Sequence, residues 1–178
     1  MSAYITIYLE RGNKMKIKTG VITASDKGYA GEREDLSGKK IVTIMEENGY
    51  EIAKTIILPD DKEMLANEMI AMCDAGINLI LTTGGTGFSP RDITPEATKQ
   101  VIEREVNGIP MAILNYSLTI TDRAMLSRAT AGIRGNTLII NLPGSPKAVE
   151  EALVYILPSL KHGLEIMLGL DAECARKD

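Results

Sequence analysis

The sequence predicts an α/β domain of three layers, in which helices cover both faces of a mainly parallel β-sheet. Short apolar runs rich in Ile, Val, Leu and Thr alternate along the chain with longer amphipathic segments. The runs mostly lack the strict apolar–polar alternation of a half-exposed strand, which is typical of strands buried on both faces. Alternation of strand and helix favours right-handed crossovers between parallel strands.

The predicted strands are the four apolar runs, residues 20–25, 53–58, 78–83 and 137–142. Each run leads directly into a polar or glycine-rich loop. These loops are, in chain order, Ser25 with Asp26, "PDD" at 59–61, "TTGGTGFSPRDITPEAT" at 82–98, and "PGSPK" at 143–147. If the strands are parallel, all four loops lie at one edge of the sheet, where open α/β sheets bind ligands.

Predicted helices separate the strands, over residues 37–48, 61–75, 95–105 and 109–120. Gly49 suits a left-handed cap at the end of the first helix. Thr94 is expected to cap the third, with Pro95 at its first position. A last helix starts at Ser145 and Pro146, and Pro158 should kink or restart it before residues 160–168.

Composition limits the class of protein. A chain of 178 residues with 44% hydrophobic and 25% charged residues suits one globular domain. The net charge of −4 and the absence of Trp argue against nucleic acid as a partner. The two cysteines, Cys73 and Cys174, show no metal-ligand spacing, which fits a reducing compartment such as the cytoplasm.

Neither a membrane span nor a signal peptide is expected. No apolar run approaches the roughly 18 residues that a spanning helix needs. At the N-terminus, Arg11 and Lys14 follow the apolar stretch instead of preceding it. We interpret residues 1–14 as an appendage and residues 15–178 as a single domain.

The loop after the third predicted strand indicates an anion site. Gly84, Gly85 and Gly87 carry no Cβ, so backbone N–H groups can approach a ligand closely. Hydroxyl groups lie on the same stretch, at Thr82, Thr83 and Thr86. The loop matches neither the Walker A pattern nor the dinucleotide GxGxxG pattern. A plain structural turn is the alternative.

Two acids follow predicted strands and are candidate metal ligands. Asp92 lies beside the glycine loop, where a carboxylate and phosphate oxygens together suit Mg²⁺. Its alternative role is favourable charge at a helix start. Asp60 lies on a neighbouring loop, but Asp60 and Glu63 also fit a capping box.

Other candidates have equally simple alternatives. The "PGSPK" turn could bind an anion at a helix start or merely cap it. Ser25 and Ser127 are hydrogen-bond donors to a ligand or local caps. Three arginines could offset anionic charge or form surface ion pairs, namely Arg123, Arg128 and Arg134. Nucleophilic catalysis is not expected, because His162 is the sole histidine and no GxSxG motif occurs.

The motifs together resemble the molybdopterin adenylyltransferase family of molybdenum-cofactor biosynthesis. They are, in order, "SDKGYAGEREDLSG", "LPDD", "TTGGTGFSPRDITPEAT", "AMLSRATAGIRG" and "NLPGSPKAVEEAL", within residues 16–169. The resemblance implies the molybdopterin-binding-domain fold and a homotrimer. It also implies Mg²⁺-dependent transfer of AMP from ATP to molybdopterin, with release of pyrophosphate, before a molybdenum insertase uses the product.

The resemblance also implies roles for residues. The family's two essential acids match Asp60 and Asp92, which are expected to be catalytic and to bind the metal. The expected substrate- and nucleotide-binding residues are Ser25, Asp26, Thr83, Gly84, Gly85, Thr86, Gly87, Ser127, Pro143, Gly144, Ser145 and Pro146.

Three alternatives share these motifs. One is a molybdopterin carrier or scaffold without turnover, and another is a paralogue without adenylylation activity. The third, a metal-insertion or nucleotide-pyrophosphatase domain of the same fold, is disfavoured by the Thr-Gly-Gly-Thr loop of this chain. Whether the pathway uses molybdenum or tungsten stays open.

Overall fold

The structure is a computed structural model that describes residues 16–170. The predicted appendage, residues 1–14, lies outside this range. A single six-stranded sheet has the order β2-β1-β3-β6-β5-β4. The strands are β1 (Lys18–Ala24), β2 (Glu51–Leu58), β3 (Leu79–Thr83), β4 (Arg104–Glu105), β5 (Ala131–Arg134) and β6 (Thr137–Leu142).

The helices and one 3₁₀ turn connect these strands. They are α1 (Asp26–Tyr29), α2 (Leu36–Glu47), α3 (Lys62–Asp74), α4 (Thr94–Val101), α5 (Gly108–Leu118), the 3₁₀ turn Asp122–Leu126 and α6 (Pro146–Met167). Within residues 16–170, none of them is both long and apolar enough to cross a membrane.

The four predicted strands are confirmed as β1, β2, β3 and β6, and they are parallel to one another. Two further strands, β4 and β5, add an antiparallel edge that the sequence analysis missed. Both are too short to give an apolar run. A Cβ at Gly132 of β5 would lie 2.5 Å from the Ile102 side chain, so this strand packs closely against the chain that leaves α4.

Two apolar clusters lie on opposite faces of the sheet, which confirms the three-layer prediction. Val21 of β1 joins the cluster formed with α2, α5 and α6, whereas its neighbour Ile22 joins the cluster formed with α3 and α4. In β6, Ile140 and Ile139 divide in the same way. Burial on both faces explains why the runs of β1, β3 and β6 lack polar alternation. The same expectation is wrong for β2, which is the edge strand and is largely exposed.

Helix starts differ from the sequence prediction by one or two residues. Asp35 caps α2 through its bond from the Gly38 N–H (2.8 Å), so this helix begins before Ser37. Asp61, not Asp60, caps α3, because its carboxylate accepts the N–H of Met64 at 2.9 Å. The predicted Asp60 capping box is therefore wrong.

Two predictions about α4 are also wrong. Thr94 is its first residue and makes no capping bond, and the helix ends at Val101 rather than residue 105. Of the two outcomes expected for Pro158, a restart does not occur, because this residue lies inside one continuous α6. Its missing N–H falls on the solvent side, since Val154 and Pro158 are both exposed. Gly49 follows α2 with φ of +83°, as predicted.

The four parallel strands end level with one another. Ala24 pairs with Leu58, while Thr23 pairs with Thr83 and Thr83 with Leu142. The loops that follow these strands therefore lie at one edge of the sheet, as the sequence predicts. This register is the geometric basis of the candidate site.

The side chain of a buried asparagine forms hydrogen bonds to several elements at this end of the sheet. The Asn141 amide nitrogen donates to the Thr82 hydroxyl at 2.9 Å and to the Thr98 hydroxyl at 2.8 Å. Its oxygen accepts the N–H of Thr130 at 3.2 Å. One fully buried side chain thus joins β6 to β3, to α4 and to the segment before β5.

We predict that Asn141→Ala lowers the free energy of unfolding by about 3 kcal/mol, because it leaves buried polar partners unsatisfied. Asn48→Ala is the control, since Asn48 is exposed and donates one bond to the Ile44 carbonyl (2.8 Å). That variant should lose less than about 1 kcal/mol. Denaturant unfolding of both variants checks the difference, and equal losses would contradict the role of Asn141.

Candidate active site

All four loops contribute to one polar cavity of about 260 Å³. It lies at the carboxyl ends of the parallel strands, and residues 33–37 complete its wall. The loop residues that line it are Ser25, Asp60, Thr83, Gly84, Gly85, Asp92 and Gly144. Asp60 and Asp92 therefore share a single cavity, as the sequence predicts.

A second cavity of about 630 Å³ adjoins the first. Gly144 lines both cavities, and Thr86, Gly87, Ser127 and Pro143 line the larger one. Much of the remaining wall is apolar and comes from α5, with Pro110, Met111, Ile113 and Leu114. This role of α5 could not be predicted from the sequence, because nothing in its pattern shows which helix face covers the loops.

The glycine loop has a backbone that only glycine tolerates. Gly84 and Gly85 have φ of +90° and +63°. A Cβ at Gly84 would lie 2.3 Å from the Ala24 carbonyl oxygen, and one at Gly85 would lie 2.4 Å from the Thr94 hydroxyl oxygen. These glycines thus serve close packing between loops as well as access to backbone N–H groups.

Asp26 and Asp60 hold each other through reciprocal hydrogen bonds. The N–H of Asp26 donates to the Asp60 carboxylate at 3.1 Å, and the N–H of Asp60 donates to the Asp26 carboxylate at 3.0 Å. Arg91 donates two bonds to Asp26, at 3.0 and 2.8 Å, and this guanidinium lowers the pKa of Asp26. Arg91 was not among the predicted site residues, because its partner is 65 residues away in the sequence.

Asp60 keeps one carboxylate oxygen unused. Its Oδ1 is buried and has no hydrogen-bond partner among residues 16–170, and the same holds for the Thr94 hydroxyl oxygen. Oδ1 lies 3.1 Å from the position that a Cβ of Gly85 would occupy. Burial raises the pKa of Asp60, because a carboxylate loses solvation there. An unpaired carboxylate oxygen of this kind fits a bound cation.

Asp92 is anchored to its own loop. Its Oδ2 accepts the N–H of Ser89 at 2.8 Å and lies 2.9 Å from the position of a Cβ on Gly87. The described residues contain no group of three or more His, Cys, Asp or Glu that could hold a metal ion. Two carboxylates nevertheless suit Mg²⁺, which usually completes its octahedron with phosphate oxygens and water.

The three arginines occupy different environments. Arg123 lines the larger cavity. Arg128 is bound to the backbone carbonyls of Gly87 and Asp92 and to Glu96, so its guanidinium already has protein partners. Arg134 donates to the Val101 carbonyl at 3.2 Å near Thr137, at the opposite end of β6. The expectation that Arg134 offsets ligand charge is therefore wrong.

The predicted hydroxyl residues have structural roles. Ser25 accepts the Gly28 N–H at 3.0 Å and Ser145 accepts the Ala148 N–H at 3.2 Å, so both cap helices. Ser127 accepts the Ala129 N–H at 3.3 Å. Thr83 donates to the Pro143 carbonyl at 2.6 Å and joins the third loop to the fourth. Asp26, Ser145 and Pro146 line neither cavity.

Fold and site together define an α/β protein that gathers backbone donors and two carboxylates at the carboxyl ends of parallel strands. Residues 20–162 match a family model described as a probable molybdopterin binding domain. The chain belongs to this family, which confirms the family resemblance and the predicted fold.

Named relatives agree with this assignment. The molybdopterin adenylyltransferase of Helicobacter pylori is 41% identical over 157 residues, which cover 86% of this chain and 89% of that protein. The molybdopterin biosynthesis enzyme MoaB of Thermus thermophilus has a TM-score of 0.82 and 43% identity, covering 86% and 97% of the two chains. The tungsten cofactor synthesizing protein MoaB of Pyrococcus furiosus has a TM-score of 0.79, 36% identity, and covers 86% and 98%.

We predict that Gly85→Ala destabilises the protein more than Gly31→Ala does. Gly31 also has a positive φ, +74°, but a Cβ there meets nothing within 4 Å. Both variants should lose about 1 kcal/mol through backbone strain. Gly85→Ala should lose about 1–3 kcal/mol more through overpacking against Thr94. Thermal unfolding measures both, and equal losses would show that the space beside Gly85 can adjust.

We predict that Asp60→Asn raises the free energy of unfolding at pH 7. The raised pKa means that the folded state disfavours the charged carboxylate, which asparagine removes. The gain should shrink as the pH falls through the raised pKa, and it should vanish below the ordinary value of 3.8.

Asp61→Asn is the control for this measurement, because Asp61 is exposed and asparagine also caps helices well. Its stability should match the wild type at pH 7. Urea unfolding from pH 3.5 to pH 7 measures all three proteins. A loss of stability in Asp60→Asn at pH 7 would mean that the fold favours the charged carboxylate.

Proposed function

We propose that this protein is an enzyme of molybdenum-cofactor biosynthesis that transfers AMP from ATP to the terminal phosphate of molybdopterin and releases pyrophosphate. The observation that carries the proposal is the meeting of Asp60, Asp92 and the glycine loop in one cavity, beside a larger cavity lined by α5. Two adjoining cavities suit a reaction with two substrates. The activity named for the Helicobacter pylori relative supports this reaction.

The chemistry needs little from a general base. The attacking molybdopterin phosphate is already an anion at neutral pH. Its oxygen forms a bond to the α-phosphorus of ATP, and the bond between the α-phosphorus and the bridging oxygen to the β-phosphate breaks. Positioning two polyanions and offsetting their charge is then the main task. Accordingly, no histidine lines either cavity.

Backbone donors and carboxylates divide this task. N–H groups in the stretch 84–87 can bind phosphate oxygens, because Gly84 and Gly85 line the smaller cavity and Thr86 and Gly87 line the larger one. Asp60, through its unused Oδ1, and Asp92 would hold Mg²⁺. When bound, Mg²⁺ would offset phosphate charge and polarise the α-phosphate. Ser25 and Thr86 can add hydroxyl donors from the walls of the cavities.

We extend the proposal to the setting of the enzyme. A homotrimer in the cytoplasm, with hand-off of the adenylylated product to a molybdenum insertase, follows from the family likeness. Exposed apolar side chains on α5 and α6, such as Met111, Val154 and Tyr155, support contacts between copies. The free thiol of Cys73 is compatible with a reducing compartment. Residues 1–14 lie outside the family match and are expected to be dispensable.

We predict that the wild type releases pyrophosphate from ATP and Mg²⁺ only when molybdopterin is present. Asp92→Asn should lower this rate by about 10²–10³-fold, because it removes a charge where phosphate charge must be offset. Asp60→Asn should do the same. Asp61→Asn, which alters only the cap of α3, should retain full activity.

The assay also separates the alternative functions. Binding of molybdopterin by the wild type without pyrophosphate release would indicate a carrier or an inactive paralogue. Near-normal release by Asp92→Asn would contradict the role of Asp92 in holding the metal. Folded state is checked for each variant by circular dichroism.

A further inference from the structure

Arg128 connects two parts of the candidate site that the sequence keeps far apart. Its backbone N–H donates to the Thr86 carbonyl at 3.0 Å, and its Nε donates to the Gly87 carbonyl at 2.6 Å. Its two terminal nitrogens bind the Asp92 carbonyl and the Glu96 carboxylate. A single residue thus holds the end of the glycine loop, the backbone of Asp92, and the first turn of α4.

These contacts lie between the two cavities. Thr86 and Gly87 line the larger cavity, whereas Asp92 lines the smaller one. Ser127, the chain neighbour of Arg128, also lines the larger cavity. Movement of the Arg128 guanidinium would therefore change the position of Asp92 relative to the wall of the larger cavity.

We propose that Arg128 is a positioning residue, which holds Asp92 at the distance from the larger cavity that adenylyl transfer requires. The inference rests on the proposed function, since it takes Asp92 as the metal-binding acid. Three of the five N–H donors of the Arg128 guanidinium are directed to Gly87, Asp92 and Glu96, so its contacts are with the protein. Its side chain is 33% exposed, so it is partly buried, as expected for a residue that holds neighbouring groups in place.

Only arginine can make this set of contacts. The planar guanidinium presents donors in a fixed fork, so one side chain can reach three acceptors in different directions. A lysine ammonium is a single point charge at the end of a flexible stem. It would keep the attraction to Glu96 but could not also hold both carbonyls in place. Lysine therefore tests the geometry while it keeps the charge.

The experiment measures ATP affinity by calorimetry with and without Mg²⁺ for Arg128→Lys. We define the Mg²⁺-linked gain as the ratio of the ATP affinity with Mg²⁺ to the ATP affinity without it. In Arg128→Lys this gain should fall about tenfold, because a displaced Asp92 holds the metal less well. Affinity for ATP alone should change less than about twofold. Pyrophosphate release should fall about 10²-fold, which is the scale expected for a displacement near 1 Å.

Two control variants isolate the contact that matters. Arg134→Lys makes the same chemical change at an arginine that binds one carbonyl at the opposite end of the sheet. It should change neither the Mg²⁺-linked gain nor turnover. Glu96→Gln removes the ion pair but leaves both carbonyl contacts of Arg128 available. Its Mg²⁺-linked gain should stay within about threefold of the wild type.

A double variant tests whether Arg128 acts through Asp92. If it does, Arg128→Lys combined with Asp92→Asn should have the same Mg²⁺-linked gain as Asp92→Asn alone. The proposal would be overturned if the double variant loses the product of the two factors by which the single variants lower the Mg²⁺-linked gain. Equal weakening of ATP binding with and without Mg²⁺ would also overturn it, since that result indicates direct substrate contact. A lowered melting temperature with unchanged Mg²⁺-linked gain would leave Arg128 only a structural role.

The same measurements separate this proposal from the proposed function. If the wild type shows a Mg²⁺-linked gain but no pyrophosphate release, the proposed transferase function is overturned. The proposal for Arg128 is then still tested by the ATP affinities with and without Mg²⁺. If the wild type shows no Mg²⁺-linked gain, the proposal for Arg128 is overturned, whereas pyrophosphate release still decides the transferase activity.

Discussion

The level ends of four parallel strands are the constraint on which the rest of this structure depends. Ala24 pairs with Leu58, and Thr83 pairs with Thr23 and Leu142, so the four strands end within one residue of one another. The loops that follow are therefore neighbours in space although they are spread over more than a hundred residues of chain. A slip of one strand by one residue would move its side chains to the opposite face of the sheet. The two apolar clusters therefore stabilise this register.

Specific polar contacts then hold the loops in one arrangement. Asn141 ties β6 to β3 and α4, and the Thr83 hydroxyl holds the Pro143 carbonyl. Asp26 and Asp60 exchange hydrogen bonds between the first two loops. With the backbone held in this way, one oxygen of Asp60 is buried and has no hydrogen-bond partner among residues 16–170. Such a group is costly, which supports our proposal that a bound cation compensates it.

The sequence predicted the strands and the loops well, because burial on both faces leaves a strong pattern in composition. Helix caps were predicted less well, since Asp60 and Asp61 are chemically equal candidates and only the three-dimensional structure shows that Asp61 accepts the Met64 N–H. Strand β5 was missed because four residues with a glycine give no periodic signal. The bracing role of Arg128 depends on contacts 32 to 41 residues away, which no local pattern reveals.

A crystal structure with a non-hydrolysable ATP analogue and Mg²⁺ tests the central claim most directly. The account predicts phosphate oxygens on the backbone N–H groups of residues 84–87 and a metal ion bound by Asp60 Oδ1 and the Asp92 carboxylate. It also predicts that the larger cavity stays open beside the α-phosphate for the second substrate. Phosphates bound away from the glycine loop, with the two carboxylates holding no metal, would contradict the account.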